Sequence, residues 1–276
     1  MYPSVVGLLV SDFDETITQN DTLSVLIAIC PRMSDDCRKD CPPPWSYFVE
    51  LYFKERAEHI KRWGETNSER TLEDFYKLLK SLENVEERSM KRVEDFKCLV
   101  GVRSEELREQ GKKIKKQPGA VDVIERYLVK NKPGSFYVIS TNWSHDMLFG
   151  CLQEIDGIDE KIIISNDFVF EENCSTGKFK RKVLTALDKL EIFKQLTVPR
   201  DKISVYVGDS ETDLPCMLAA DIGIIMGNNV SLAQSCKKYG IEIIEGLQSA
   251  YPKNSISKKR LFRVKDWIEI GKSELF

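Results

Sequence analysis

Long apolar runs are missing from this chain of 276 residues. Its longest, LSVLIAIC at 23–30, falls far short of the ~20 residues that a bilayer-spanning helix needs. An excess of one charge is missing too: 41 Lys and Arg stand against 44 Asp and Glu, for a formal net charge of -3. That balance gives no electrostatic footprint for nucleic acid or a membrane surface. The basic clusters GKKIKKQPG (111–119) and SKKRLFRVK (257–265) read as solvated faces and linkers. No basic segment opens MYPSVVGLLV, so no secretory leader is expected and a soluble, cytoplasmic protein is. Among eight cysteines there is no C-x-x-C pair. The tightest group, Cys30, Cys37 and Cys41, has neither His59 nor His145 near it in sequence. Free thiols are expected there rather than zinc or a disulfide framework. No internal repeat is apparent.

What the chain does have is 42% hydrophobic residues, enough for a sizeable core, arranged in short continuous runs. VVGLLVS (5–11), SFYVIS (135–140), KIIIS (161–165), KISVYVG (202–208) and DIGIIM (221–226) are candidate strands buried on both faces. Helical stretches near 119–131, 144–154, 186–196 and 211–220 separate them, which predicts an α/β parallel sheet with helices on both faces. Ligands of such sheets gather at the carboxyl ends of the strands. Residues 20–116 differ. Leu72, Phe75, Leu79 and Leu82, then Val93, Phe96 and Leu99, keep helical spacing, and PPPWSYFVELYFKERAEHIKRW (42–63) starts a helix on prolines. No convincing strand is read there, so this region is a helical insert, with return hinges at 17–20 and 115–119. NDFVFEENCSTGKFKRKV (166–183), with Asn173 and Gly177 flanking a turn between extended pieces, suggests a small hairpin.

Polar residues collect where the strands end. LLVSDFDETIT (8–18) delivers Asp12 and Asp14 at the end of a core strand, although buried unpaired charge is costly. Taken alone, D-x-D-x-T could equally be a helix cap or a polar loop. YVISTNWS (137–144) ends on Ser140 and Thr141, which could cap the next helix or donate to an oxyanion. LDKLEIFKQL (187–196) carries Lys189 off its apolar stripe. VYVGDSETD (205–213) runs from a strand into Asp209 and Asp213. At an effective dielectric of 20, a unit charge pair 4 Å apart is worth about 4 kcal/mol. Carboxylates approaching a phosphate dianion therefore need a hard cation such as Mg²⁺ and a lysine.

DFDET, Ser140, Lys189 and GDSETD match, in order and spacing, the four motifs of the haloacid dehalogenase superfamily, and the chain resembles it on both sides of the insert. STNWSHDML, NDFVFEENCSTGKF, DKLEIF and YVGDSETDLPCMLAADIGIIMGNN look like the phosphatase domain of plant thiamine-monophosphate phosphatases. Phosphoserine phosphatases are more distant relatives with the same type of cap.

The resemblance implies a Rossmann-like doubly wound core over 1–19 and 116–276, with an inserted all-helical cap over 20–115. It also implies a phosphatase for a small-molecule phosphate monoester, with Asp12 as nucleophile and Asp14 as proton donor and acceptor. Thr16 would orient the Asp14 segment and join the phosphate-binding residues. Ser140, with Thr141 and Asn142, would hold the phosphoryl oxygens beside Lys189. Mg²⁺ would sit on Asp12, the Asp14 carbonyl and Asp209, and Asp213 would support Lys189 or a metal-bound water. Trp143 is placed to touch the leaving group. Aromatics of the insert such as Trp45, Phe48 and Tyr52 suit a heteroaromatic substrate like thiamine monophosphate, although half or more of them are expected to be packing residues. His145 reads as a helix-start residue. No thiaminase-like partner domain is matched, so a stand-alone form is expected. The competing reading is a silent member of the fold that binds a phosphorylated ligand or a protein.

Overall fold

The computed structural model describes residues 6–33, 41–67, 70–131, 133–247, 259–273 and 275. Strand β1 (Val6–Ser11) is buried at every position, as its continuous apolar run requires of a central strand. The insert follows: α1 (Leu23–Ala28), α2 (Trp45–Thr66), α3 (Leu72–Ser81), α4 (Glu83–Asp95), β2 (Val100–Arg103) and α5 (Ser104–Lys112). The chain returns through α6 (Ala120–Lys130), β3 (Phe136–Ile139), α7 (His145–Leu152) and β4 (Ile163–Ile164). The hairpin β5 (Asp167–Glu171) and β6 (Cys174–Lys180) precedes α8 (Ala186–Gln195), β7 (Ile203–Gly208), α9 (Leu214–Ala219) and β8 (Ile222–Met226). Last come α10 (Val230–Lys238), β9 (Glu242–Glu245), β10 (Arg260–Val264) and α11 (Trp267–Gly271).

Seven strands form one parallel sheet in the order β4-β3-β1-β7-β8-β10-β9. From β1 the chain winds one way through β3 and β4 and the other way from β7 onward. The winding therefore reverses between β1 and β7, where a crevice opens outside the carboxyl ends of the strands. The expected α/β doubly wound core is present, and all five expected strands lie in this sheet.

Two segments differ from expectation. SKKRLFRVK, read as a solvated linker, runs as β10 between β8 and β9 over its described residues, with Leu261, Phe262 and Val264 buried. Its arginines at 260 and 263 mask a short strand in an otherwise basic tract. The insert is helical apart from β2, which pairs antiparallel with β6 in a second sheet ordered β2-β6-β5. Four residues containing a glycine at φ +86°, paired with a segment far along the chain, carry no local strand signal. The expected hairpin is present, but its turn falls on Glu172 and Asn173 rather than between Asn173 and Gly177; both take positive φ, as a two-residue turn of this kind requires. Gly177 lies within β6 instead, where a Cβ would come 2.7 Å from Val100 of β2.

The two chain crossings expected as hinges are bonded to each other: Gln117 N donates to Ile17 O at 2.7 Å and Gln19 N to Lys115 O at 2.9 Å. Helix α5 lies against α7 so closely that a Cβ on Gly111 would be 2.2 Å from Met147 O, and one on Gly150 2.2 Å from Arg108 O. Arg108 then pairs with Asp146 at 2.7 Å and with Glu160 at 2.8 Å. Helix α2, by contrast, buries only Phe48.

Cys30 is a free buried thiol, as expected. Cys41 is disulfide-bonded, which corrects the expectation of free thiols there, and Cys37 lies outside the described residues. Sequence spacing alone could not foresee that bond. No described helix is long and apolar enough to cross a membrane.

Candidate active site

The loop after β1 turns sharply at the crevice. Ile17 N and Thr18 N both donate to Phe13 O, at 2.9 and 3.0 Å, and Glu15 takes a φ of +56°. That conformation is uncommon for a residue with a Cβ. Trp267 Nε1 fastens the loop from α11 by donating to Thr16 O at 2.8 Å. Asp12 still belongs to the sheet, its N–H donating to Val207 O of β7 at 2.9 Å.

Lys189 reaches Asp12 from the first turn of α8. A capping box of Thr185 and Asp188 fixes where that helix starts, which points the lysine inward. Lys189 Nζ donates to Asp12 Oδ1 at 2.7 Å and to Asp213 Oδ1 at 2.8 Å. Asp213 stands just before α9 and is saturated with donors. Tyr206 OH reaches its Oδ1 at 3.1 Å, while Ser210 gives its N–H at 3.3 Å and its hydroxyl at 3.0 Å to Oδ2. Gly208 makes the close approach of Asp213 to β7 possible, since a Cβ there would sit 2.4 Å from Asp213 Cβ. Asp209 takes the hydroxyl of Thr16 on Oδ1 at 3.2 Å.

Candidate ligand oxygens of Asp12, Asp209 and Asp213 lie within 4.8 Å of one another, all on buried residues. One ammonium thus faces three carboxylates. Burial pushes the Asp12 carboxyl well above its ordinary value; Asp213 and Asp209 add to this and Lys189 opposes it. Burial and Asp213 push Asp209 up to about 7. Burial alone would lower the Lys189 ammonium, but Asp12 and Asp213 outweigh it and hold the ammonium above its ordinary value. A further cation would relieve this excess negative charge. The donor set fits Mg²⁺: Asp12 Oδ2, Asp14 O and Asp209 Oδ2 are hard oxygens that accept no hydrogen bond from a described residue.

Asp14, two residues on, is turned to other partners. Its Oδ1 accepts from Thr22 N at 2.9 Å and Thr22 Oγ1 at 2.6 Å, and its Oδ2 from Asn142 Nδ2 at 2.9 Å. Burial raises its carboxyl above the ordinary range, and these three bonds oppose the rise.

Ser140 ends β3 and is 1% exposed. Its N–H is used by Ile164 O at 3.0 Å and its Oγ accepts from Asn142 N at 3.1 Å. The backbone N–H groups of Phe13, Asp14, Thr141 and Trp143 find no acceptor among the described residues, which leaves them free for an anion at the crevice. Thr141 instead gives its carbonyl to Asn166 Nδ2 at 3.0 Å. Trp143 stands edge-on to Trp45 of α2, with ring centres 6.0 Å apart, and to Phe179 of β6 at 5.0 Å. It lies on the seam between insert and core. His145 does start α7, as expected.

The structure therefore brings Asp12, Lys189, Asp209 and Asp213 together with Thr16, and Asp14 together with Asn142. Thr16, expected to orient the Asp14 segment, gives its hydroxyl to Asp209. Three residues escaped the sequence reading: Thr22, Tyr206, and Asn166, whose side-chain oxygen accepts from Lys182 N and Val183 N at 2.8 and 3.0 Å. Only the place of Asn166 next to a strand end could have marked it.

No family model matches the chain. Among curated proteins it is 28% identical to the bifunctional TH2 protein, mitochondrial, of Arabidopsis thaliana over 86% of its own length, and spans 42% of that relative. It is 26% identical to a CTO1 family protein of Schizosaccharomyces pombe, covering 97% of this chain and 99% of that one. Among solved structures, a phosphoserine phosphohydrolase-like protein from Francisella tularensis superposes with a TM-score of 0.56 at 10% identity, over 96% of this chain and 97% of that one. The chain therefore shares the fold of that solved structure. The four motifs that carried the resemblance lie together at the crevice of that fold.

Proposed function

We propose that the chain is a Mg²⁺-dependent phosphatase that hydrolyses a small-molecule phosphate monoester through an aspartyl phosphate on Asp12. The observation that carries this reading is the division of labour between two neighbouring acids. Asp12 is ion-paired to buried Lys189 at 2.7 Å, whereas Asp14 meets only neutral donors.

In this reading the Asp12 carboxylate attacks phosphorus while Lys189, paired to it, offsets charge on the transferred group. The free N–H groups of the β1 and β3 loops, with Ser140, take the phosphoryl oxygens. Asp14 protonates the leaving alkoxide and then takes a proton from the water that cleaves the acyl phosphate. Asp12, Asp209 and the Asp14 carbonyl would hold Mg²⁺, which when bound neutralises phosphoryl charge. Asp213 holds Lys189 in place. The insert, 20–115, acts as the cap over this crevice, and Trp143 with Trp45 on the seam supports an aromatic leaving group, thiamine monophosphate or a related heteroaromatic phosphate.

The test is phosphate release from thiamine monophosphate, phosphoserine, nucleotides and sugar phosphates, with and without Mg²⁺, for wild type and Asp12→Asn. Mg²⁺-dependent release that vanishes in the variant is expected. Release that survives Asp12→Asn contradicts the nucleophile. No release from any ester, with Mg²⁺ bound, favours a silent binding protein.

A further inference from the structure

We infer that Thr22 and Asn142 are positioning residues that aim the Asp14 carboxyl for proton transfer, one from the insert and one from the core. The inference rests on the phosphatase reading above. Thr22 stands at the N-terminal cap of α1, yet its side chain makes no capping bond to that helix. A threonine there ordinarily caps, worth about 1 kcal/mol. Its hydroxyl goes to Asp14 Oδ1 at 2.6 Å instead, and its N–H goes to the same oxygen at 2.9 Å.

Asn142 shows the same withholding. It lies before α7, whose cap is supplied by Ser144 Oγ. Asn142 Nδ2 reaches both Asp14 Oδ2 and Thr22 Oγ1, each at 2.9 Å, so the three side chains close a triangle. Asn142 is itself locked: its Oδ1 accepts from Ser144 N and its N–H donates to Ser140 Oγ, both at 3.1 Å. Thr22 is 2% and Asn142 7% exposed, so water does not compete for these bonds.

The triangle joins residues 14, 22 and 142, which belong to the β1 loop, the first helix of the insert and the β3 loop. Both carboxyl oxygens of Asp14 are thereby fixed in direction.

A leaving-group comparison tests this. An alkoxide must be protonated as it departs; a nitrophenolate need not be. Thr22→Val and Asn142→Leu are expected to lower kcat/KM for an alkyl ester (thiamine monophosphate or phosphoserine) by about 10²-fold, at the low end of what general acid–base catalysis supplies. The same variants should change kcat/KM for para-nitrophenyl phosphate less than about 3-fold, because that ratio reports phosphoryl transfer to Asp12 before Asp14 acts as base, and Thr22→Ser should restore the alkyl value. Equal losses on both esters, or loss that Thr22→Ser does not rescue, would overturn the inference in favour of a structural role; unchanged alkyl rates would overturn it outright. Failure of the function reading looks different, because wild type then releases phosphate from neither ester.

Discussion

Asp12 and Asp14 are separated by one residue, and the chain has built opposite surroundings for them. Around Asp12 every partner comes from the core: Lys189 from α8, Asp209 and Asp213 from the end of β7, and Tyr206 behind them. The interactions there are between charges, buried, and fed by segments nearly 200 residues away. Around Asp14 the partners are a threonine of the insert and an asparagine of the β3 loop, both neutral. A carboxylate that must stay ionised inside a protein needs a cation beside it. A carboxyl that must gain and lose a proton is better served by neutral donors, which orient it without binding it to one charge state.

The comparison can be broken most severely on the Asp12 side. Lys189→Met leaves Asp12 and Asp213 facing each other without an ammonium. Activity should fall by about 10³-fold or more, and stability by about 3 kcal/mol, as when one partner of a buried ion pair is removed. Steady-state kinetics and thermal unfolding check both, and near-normal turnover would contradict the role of the pair. Gly208→Ala comes next. Its new Cβ would lie 2.4 Å from Asp213 Cβ, so about 1–3 kcal/mol of overpacking is expected in denaturant unfolding.

Asp209 gives a dependence on pH with a definite sign. Its carboxyl is raised to about 7 from the unfolded value near 4. The folded state therefore holds a proton that the unfolded state has lost, and this contribution to stability is full below about pH 4 and gone above about pH 7. Mg²⁺ needs the ionised form. The rise in Tm on adding Mg²⁺ should thus be larger at about pH 8 than at about pH 5.5; a flat or inverted trend would count against Asp209 as a ligand. The smallest effect is expected for Tyr206→Phe. It removes one of the four bonds that described residues donate to the Asp213 carboxylate, a loss of about 1 kcal/mol in denaturant unfolding.

How much could be read in advance follows the same physics. The central strands were legible because a strand buried on both faces must be apolar nearly throughout, and VGLLVS, ISVYVG and IGIIM carry at most one serine each. Strand β10 was not, because RLFRV places arginines among its buried residues, and β2 was not, because its partner lies some 75 residues further on. Asp12, Asp14, Lys189, Asp209 and Asp213 announced themselves as charged groups at strand ends or in a recognised order. Thr22 and Tyr206 did not. A threonine before a helix reads as a cap, and a tyrosine in a β-strand reads as core; only the observed bonds to Asp14 and Asp213 give them another meaning.

The central claim is that Asp12 carries the phosphoryl group. Borohydride reduction of the protein during turnover of thiamine monophosphate or para-nitrophenyl phosphate, with Mg²⁺ present, converts an acyl phosphate to an alcohol that peptide mass mapping can place. The account predicts homoserine at position 12 in wild type and none without ester. Phosphate release with an unreduced Asp12, or reduction at another acid, would contradict it.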